Sequence, residues 1–148
     1  MILRKIEQKD IPELYIKYYT SERGQFAPDD FCLGIDFQHE FDRTGFYSDT
    51  YKALIAVRTE QIVGIGFLFT VEDRVELGTF AFESGKGLGT GITKALLEYG
   101  FSRLHFVTIW VCPNSQNLAS IKMITKCGFQ SKGNDMYSIT KEQWEHMQ

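Results

Sequence analysis

Four glycines occupy alternate positions where a strand-like run meets a helix-like run. They are Gly85, Gly87, Gly89 and Gly91, and Lys86 lies between the first two. Glycine lets the backbone turn sharply, and the first N–H groups of a helix have no partner within the helix. Such amides, together with the helix dipole, favour phosphate. Because glycine costs about 1 kcal/mol in a helix interior, we interpret the segment as a phosphate-binding turn rather than as a merely flexible loop.

The spacing of these glycines restricts the kind of phosphate ligand. A Walker A loop needs Ser or Thr directly after its lysine, whereas Lys86 is followed by Gly87. A dinucleotide fingerprint would have its third glycine at position 92, which is Ile92, and no suitable acid follows it at the expected distance. A nucleotide-binding β-α-β protein is therefore the weaker alternative.

The same segment resembles the acyl-CoA pyrophosphate loop of the GNAT superfamily of N-acetyltransferases. That signature is Arg or Gln, two residues, Gly, one residue, then Gly or Ala. Gly87 and Gly89 match its glycine positions, and Ser84 stands in place of Arg or Gln. The resemblance implies that the pyrophosphate of acetyl-CoA is bound by Gly85, Lys86, Gly87, Leu88, Gly89 and Thr90. Lys86 can also be interpreted as a solvated loop lysine.

A second segment resembles the fourth-helix motif of the same family. The motif is Asn, two residues, Ser or Ala, then Gly-Phe at the helix end, and Asn117, Ser120, Gly128 and Phe129 match it. With a serine at this position, the segment resembles the RimJ/RimL-like branch of the family, which contains ribosomal-protein N-acetyltransferases. Many relatives carry a tyrosine on this helix that protonates the departing thiolate. The corresponding residue is Ile124, which excludes that mechanism here.

The resemblance also implies where acetyl-CoA lies and how it reacts. The cofactor would lie between the ends of two neighbouring strands, with backbone donors near Ala81 and Phe82 facing the pantetheine and thioester. Asn117 would hold the pantetheine arm and Ser120 would donate to the sulfur. The acetyl group would pass directly to an amine, without a covalent enzyme intermediate. Asn117 can equally be a helix N-cap, and Ser120 a polar residue of the first turn.

Direct transfer requires a base, because a free alkyl amine is mostly protonated at neutral pH. Glu76 is the candidate, since it begins the strand that leads to the thioester. It alternates with Gly78 and Phe80, which would turn it towards the acceptor. The competing interpretation is a solvated acid paired with Arg74 or a lysine, and the sequence leaves both open.

We expect the acceptor to be a primary amine of a peptide N-terminus, an amino sugar, a polyamine or a free amino acid. Acids could attract it and aromatic rings could line its approach, although solvated acids and core aromatics explain these residues equally well. The acids are Asp29, Asp30, Asp36 and Glu40, and the aromatics are Tyr18, Tyr19, Phe26 and Tyr47. A module that binds acyl-CoA without catalysis is the main alternative function.

The elements that must position these residues follow a mixed α/β pattern over one domain, residues 1–148. Hydrophobic periodicity predicts the order β-α-α-β-β-β-α-β-α-β-β. The first helix is expected over residues 11–19, with Ile11, Leu14, Tyr15 and Tyr18 on its buried face and Asp10 with Glu13 capping it. The resemblance implies the GNAT fold, a mostly antiparallel sheet with a β-α-β acyl-CoA-binding core flanked by helices.

Composition excludes several other classes of function. The net charge is −3, with Lys and Arg scattered, so an extended nucleic-acid footprint is not expected. Cys32, Cys112 and Cys127 form no Cys-x-x-Cys pair and the histidines are isolated, so we expect buried reduced thiols and no metal site. No signal segment or membrane span is predicted. We expect a cytoplasmic protein. The sequence leaves open a homodimer that pairs through an edge strand near the C-terminus.

Overall fold

The computed structural model describes residues 1–20, 37–83 and 85–148 of the chain. Several sequence predictions concern positions outside these residues. They are the predictions for the loop residue Ser84, for Cys32, for the acids Asp29, Asp30 and Asp36, for Phe26, and for the side chain of Tyr19.

Within the described residues, seven strands form one sheet in the order β1-β2-β3-β4-β5-β7-β6. Every neighbouring pair is antiparallel except β4 and β5, which are parallel. The mostly antiparallel mixed sheet expected from the sequence is therefore confirmed. The strands are β1 (Ile2–Lys5), β2 (Tyr51–Arg58), β3 (Gln61–Val71), β4 (Arg74–Ala81), β5 (Thr108–Val111), β6 (Gln130–Ser131) and β7 (Tyr137–Thr140).

The described helices follow the predicted order, with one short helix added at the C-terminus. They are α1 (Ile11–Thr20), α2 (Phe37–Thr44), α3 (Leu88–Glu98), α4 (Leu118–Lys126) and α5 (Lys141–His146). A π turn, Tyr99–Arg103, continues α3. The added helix α5 begins at a capping box between Thr140 and Gln143. Because α3 connects β4 to the parallel strand β5, these three elements form the β-α-β unit.

The sheet has a hydrophobic cluster on each face, and the side chains of β4 alternate between them. Leu77 and Ala81 belong to the cluster that contains the buried residues of α3 and α4, on what we call the back face. Phe80 and Phe82 belong to the cluster with α1 and α2, on the front face. Side chains of a strand point alternately to opposite faces, so Glu76 and Gly78 share the front face with Phe80.

Three local predictions are wrong. Tyr15 is 40% exposed, with its ring edge-on to Phe37, so it is not part of the buried face of α1. Asp10 does not cap α1, because its carboxylate accepts from the N–H of Glu7 at 2.8 Å and pairs with Arg4. Cys112 is exposed, whereas Cys127 is buried and burial raises the pKa of its thiol.

The Asp10 contact joins β1 to the start of α1 and gives a stability prediction. Arg4 donates to Asp10 from both terminal nitrogens, at 2.8 and 2.9 Å, and this hydrogen bonding lowers the pKa of the carboxyl. A lowered folded-state pKa gives stability above the unfolded-state pKa, and this stability is lost as the pH falls through the folded-state value. Asp10→Asn should therefore destabilise the fold by about 1.5 to 3 kcal/mol at neutral pH, the range for hydrogen bonds to charged groups.

Urea unfolding at pH 7 and pH 3 measures this effect. The gap between wild type and Asp10→Asn should narrow at the lower pH. Asp49→Asn, at an exposed acid in the turn before β2, is the control and should stay within about 0.5 kcal/mol of wild type. Equal stability of Asp10→Asn and wild type at pH 7 would contradict the assignment.

Candidate functional site

The parallel strands β4 and β5 separate beyond a single bridged residue pair. The only bridge between them in the described residues joins Glu76 to Trp110. Strand β4 then continues to Ala81 without a partner on that side, whereas β5 ends at Val111. Ligands of α/β sheets bind outside the carboxyl ends of parallel strands, so this opening, which we call the β4–β5 cleft, is the candidate site.

Backbone groups of β4 line one wall of the cleft. The N–H of Phe82 donates to the carbonyl of Val63 on β3 at 3.0 Å. Successive residues of a strand direct their N–H groups to opposite sides. The N–H groups of Thr79 and Ala81 therefore point towards β5 and into the cleft. Ala81 is placed as predicted, but Phe82 is not a donor to the cleft because β3 occupies its N–H, and Thr79 was missed.

The glycine segment begins at the open end of the cleft. Gly85 and Gly87 have φ of 76° and 68°, in the left-handed region, and Gly87 is the N-cap of α3. A Cβ at either position would meet no described heavy atom within 4 Å, so nothing covers their backbone. Leu88 turns its side chain into the core, which leaves the amides of the first turn facing outwards. These features form a site for a phosphate group.

Lys86 is already paired in the absence of a ligand. Its Nζ lies 2.6 Å from the carboxylate of Glu83, and both side chains are well exposed. The hydrogen bond from Lys86 lowers the pKa of Glu83. A phosphate at the loop would therefore compete with Glu83 for this ammonium.

Asn117 and Ser120, the two predicted residues of the fourth-helix motif, lie at the start of α4. The Oδ1 of Asn117 accepts the backbone N–H of Ser120 at 3.0 Å, so the N-cap interpretation is confirmed. This bond leaves the Nδ2 of Asn117 available as a donor. The hydroxyl of Ser120 is half-buried and has no side-chain partner among the described residues.

Glu76 lies at the point where the strands separate and is 8% exposed. Its Oε2 accepts from the Nε of Arg74 at 2.9 Å, which is the pairing that the second interpretation predicted. The front-face orientation expected from alternation is also observed. The carboxylate therefore combines a position beside the cleft with an arginine partner.

The predicted acceptor residues that the structure describes have structural roles. Glu40 is buried, pairs with Arg43 and accepts from the hydroxyl of Tyr51 at 3.0 Å. Tyr18 stacks on the core residue Phe80, with ring centroids 4.9 Å apart. Tyr47 bonds to the hydroxyl of another tyrosine, and burial raises its pKa to about 12. The core-aromatic interpretation therefore explains both tyrosines.

The described residues contain neither a candidate metal cluster nor a helix that could span a membrane. No three His, Cys, Asp or Glu side chains in them come close enough to hold a metal ion. None of the described helices is both long and apolar enough to cross a membrane.

A cavity of about 570 Å³ borders the other side of the glycine segment. Its lining includes Lys17, Ile62, Phe82 and Lys86, but not Thr79, Ala81 or Glu76. The β4–β5 cleft, rather than this cavity, joins the phosphate site to the buried carboxylate.

Comparison with known proteins agrees with this architecture. Spermidine N-acetyltransferase from Vibrio cholerae, solved with CoA and spermine, superposes with a TM-score of 0.77 at 15% identity, over 97% of each chain. Aminoglycoside acetyltransferase AAC(6')-Ib, solved with coenzyme A, superposes with a TM-score of 0.78 at 19% identity, over 97% of this chain and 96% of that one. No curated protein sequence matches the chain.

The family model described as the acetyltransferase (GNAT) domain matches residues 1–130. This match covers most of the chain and includes the glycine segment, both strands of the cleft and all of α4. The protein therefore belongs to the GNAT acetyltransferase family, and it is an acyltransferase with the mixed α/β GNAT fold.

Proposed function

We propose that this protein transfers the acetyl group of acetyl-CoA to a primary amine by direct attack in a ternary complex. The β4–β5 cleft, which opens onto the glycine-capped start of α3, is the observation that carries the proposal. Proteins of the same fold have been solved with CoA and spermine, and with CoA and kanamycin. We further propose that residues 1–148 form one catalytic domain.

Acetyl-CoA would extend along β4 from the glycine segment. Its pyrophosphate would accept from the amides of residues 85–90, and its pantetheine would pair with the free N–H groups of Thr79 and Ala81. Both arms of the cleft are rigid strands, which favours alignment of the thioester with the acceptor. The backbone donors of β4 would also stabilise the negative charge that develops on the thioester oxygen.

The chemical step needs two proton transfers. The amine nitrogen forms a bond to the thioester carbonyl, and Glu76 accepts the amine proton directly or through one water. The C–S bond then breaks, the hydroxyl of Ser120 donates a hydrogen bond to the CoA sulfur, and the thiolate takes its proton from water. Ile124 is 1% exposed within the back-face cluster. It supplies no acid in place of a tyrosine.

Three finer assignments belong to the same proposal. From Ser120 and the surrounding α4 motif, we propose that the chain belongs to the RimJ/RimL-like branch. We propose a cytoplasmic location. The edge strand near the C-terminus, β6, has two residues. A homodimer through this edge would therefore need contacts besides strand pairing.

Calorimetric titration of acetyl-CoA, with ATP and NAD as matched controls, tests the proposal, followed by a thiol-release assay with a panel of amines. Saturable binding of acetyl-CoA alone, together with amine-dependent thiol release, is the expected result. Binding without release favours an acyl-CoA-binding module that lacks catalysis. A preference for ATP or NAD would favour a nucleotide-binding protein.

Gly87→Glu should abolish acetyl-CoA binding, because it places a side chain and a negative charge on the phosphate path. Any residue other than glycine is also strained at this left-handed position. Gly133→Glu is the matched control, since Gly133 also has a positive φ and open space around it but lies in the turn between β6 and β7. Calorimetry should show wild-type affinity for the control only. Normal affinity of Gly87→Glu would remove the phosphate site from the glycine segment.

Asn117→Asp separates the two roles of this residue. Aspartate keeps the oxygen that caps α4, so thermal stability should remain close to wild type. It loses the Nδ2 donor and adds a charge, so the dissociation constant for acetyl-CoA should rise about tenfold, as for one lost hydrogen bond. Unchanged affinity would leave Asn117 with its capping role alone.

Glu76→Gln should leave acetyl-CoA affinity unchanged and lower kcat by about 100-fold, the lower end of the range for a lost general base. Glutamine is similar in size and can still meet Arg74, so the fold should persist. The assay is thiol release at saturating acetyl-CoA. A kcat equal to that of wild type would reduce Glu76 to a structural partner of Arg74.

A further inference from the structure

Two aromatic residues flank Glu76 on the front face of the sheet. Phe69 on β3 pairs in register with Glu76, and Trp110 on β5 pairs with it from the other side. Neighbouring strands are about 4.8 Å apart, so the three side chains stand side by side. Both rings are half-buried, and neither belongs to the hydrophobic cluster that the described residues form on either face. The described part of the core therefore does not account for them.

Arg74 extends this group along β4. It lies two residues before Glu76 on the same face, a displacement of about 6.7 Å along a strand. Its Nε donates a hydrogen bond to the carboxylate of Glu76. Its two terminal nitrogens have no partner among the described residues, and its side chain is 34% exposed. A guanidinium group whose Nε is already hydrogen-bonded still presents the N–H groups of its terminal nitrogens. These donors form a fork that matches carboxylate or phosphate.

Among the described residues, the charges on this part of the front face do not suit a polycation. Glu76 and Glu40 are the buried acids of the described residues there, and each is paired with an arginine, Arg74 and Arg43. A ligand whose only charges are positive would meet these neutralised acids and the partly exposed guanidinium of Arg74. A ligand that also carries an acid group would supply the partner that this guanidinium lacks.

We propose that the acceptor is an amine that carries its own acid group, joined by a short carbon chain, with a free amino acid as the simplest case. The acid group binds the terminal nitrogens of Arg74, and the amine lies at Glu76. Phe69 and Trp110 enclose the carbon chain between them. The inference rests on the proposed acetyl transfer and names its substrate class. It differs from spermine and kanamycin, the amines seen with the structural relatives.

The order of groups along β4 agrees with this arrangement. Ala81 and Thr79 face the cofactor, Glu76 faces the amine, and Arg74 lies farthest from the cofactor. Between them, Gly78 adds no side chain to the front face. A Cβ there would lie 3.6 Å from Phe67 and Phe69, in ordinary contact. The absence of a side chain at position 78 leaves a gap beside these two rings, next to Glu76.

The experiment compares acceptors that differ only in the acid group. Amino acids, their amides and the corresponding decarboxylated amines are assayed by thiol release at saturating acetyl-CoA, with spermidine as a polycation. Rates are compared at equal concentrations of free amine, because the acid group changes the pKa of the amine. The amino acid should have a kcat/KM about 10 to 100 times that of its amide, as expected for a charge-assisted hydrogen-bonded pair.

Arg74→Gln should remove this preference by raising KM for the amino acid, with the dissociation constant of acetyl-CoA unchanged. Arg74→Lys keeps the charge but loses the fork, and should retain part of the preference. Arg58→Gln, at an exposed arginine that ends β2, is the control and should behave as wild type. The ratio of acid to amide is the decisive readout, because a purely structural role of Arg74 on Glu76 would slow both acceptors equally.

An equal loss with both acceptors would overturn the inference, as would a preference of the wild-type protein for amides or spermidine. Thiol release with those acceptors would leave the acetyltransferase function intact. Absence of release with every acceptor would instead overturn the proposed function, and this inference with it.

Discussion

The separation of β4 from β5 is the constraint on which the rest of the site depends. An unpaired backbone N–H is costly when it is buried away from water. Within the described residues, no bridge joins β4 to β5 at Thr79 or Ala81, whose N–H groups lie on the side where β5 has ended. The open strand edge therefore needs a partner that supplies acceptors, from water or from an elongated ligand. The pantetheine of CoA, with its amide groups, is such a partner.

Contacts around the cleft hold its open end in place. The hydroxyl of Thr93 on α3 donates to the carbonyl of Gly89 at 2.8 Å and lies 3.1 Å from the hydroxyl of Thr79. These bonds tie the first turn of α3 to the strand that lines the cleft. The front-face cluster holds Phe80 and Phe82 against α1 and α2. The sheet thereby keeps the proposed phosphate site, the N–H groups of Thr79 and Ala81, and Glu76 along one strand, as the proposed binding of one extended cofactor requires.

The features predicted correctly from the sequence include the mostly antiparallel mixed sheet and the cap at Asn117. One failure is local, because Asp10 accepts from Glu7 instead of capping α1. The other predictions that failed depend on strand pairing or tertiary packing. Strand register alone decides that the N–H of Phe82 bonds to β3 while the N–H of Thr79 points to the cleft. Register also decides that Phe69 and Trp110 flank Glu76. Nothing in the sequence distinguished Tyr18 and Tyr47, which are structural, from rings beside the cleft.

A map of backbone amide chemical shifts during titration with acetyl-CoA tests binding in the β4–β5 cleft most directly. Binding there predicts saturable changes at Thr79, Ala81 and residues 87–90, with β1 and β2 unaffected. Changes centred on Lys17 and Ile62, at the cavity beyond the glycine segment, would contradict it. So would a saturating titration that leaves the amides of Thr79 and Ala81 unmoved.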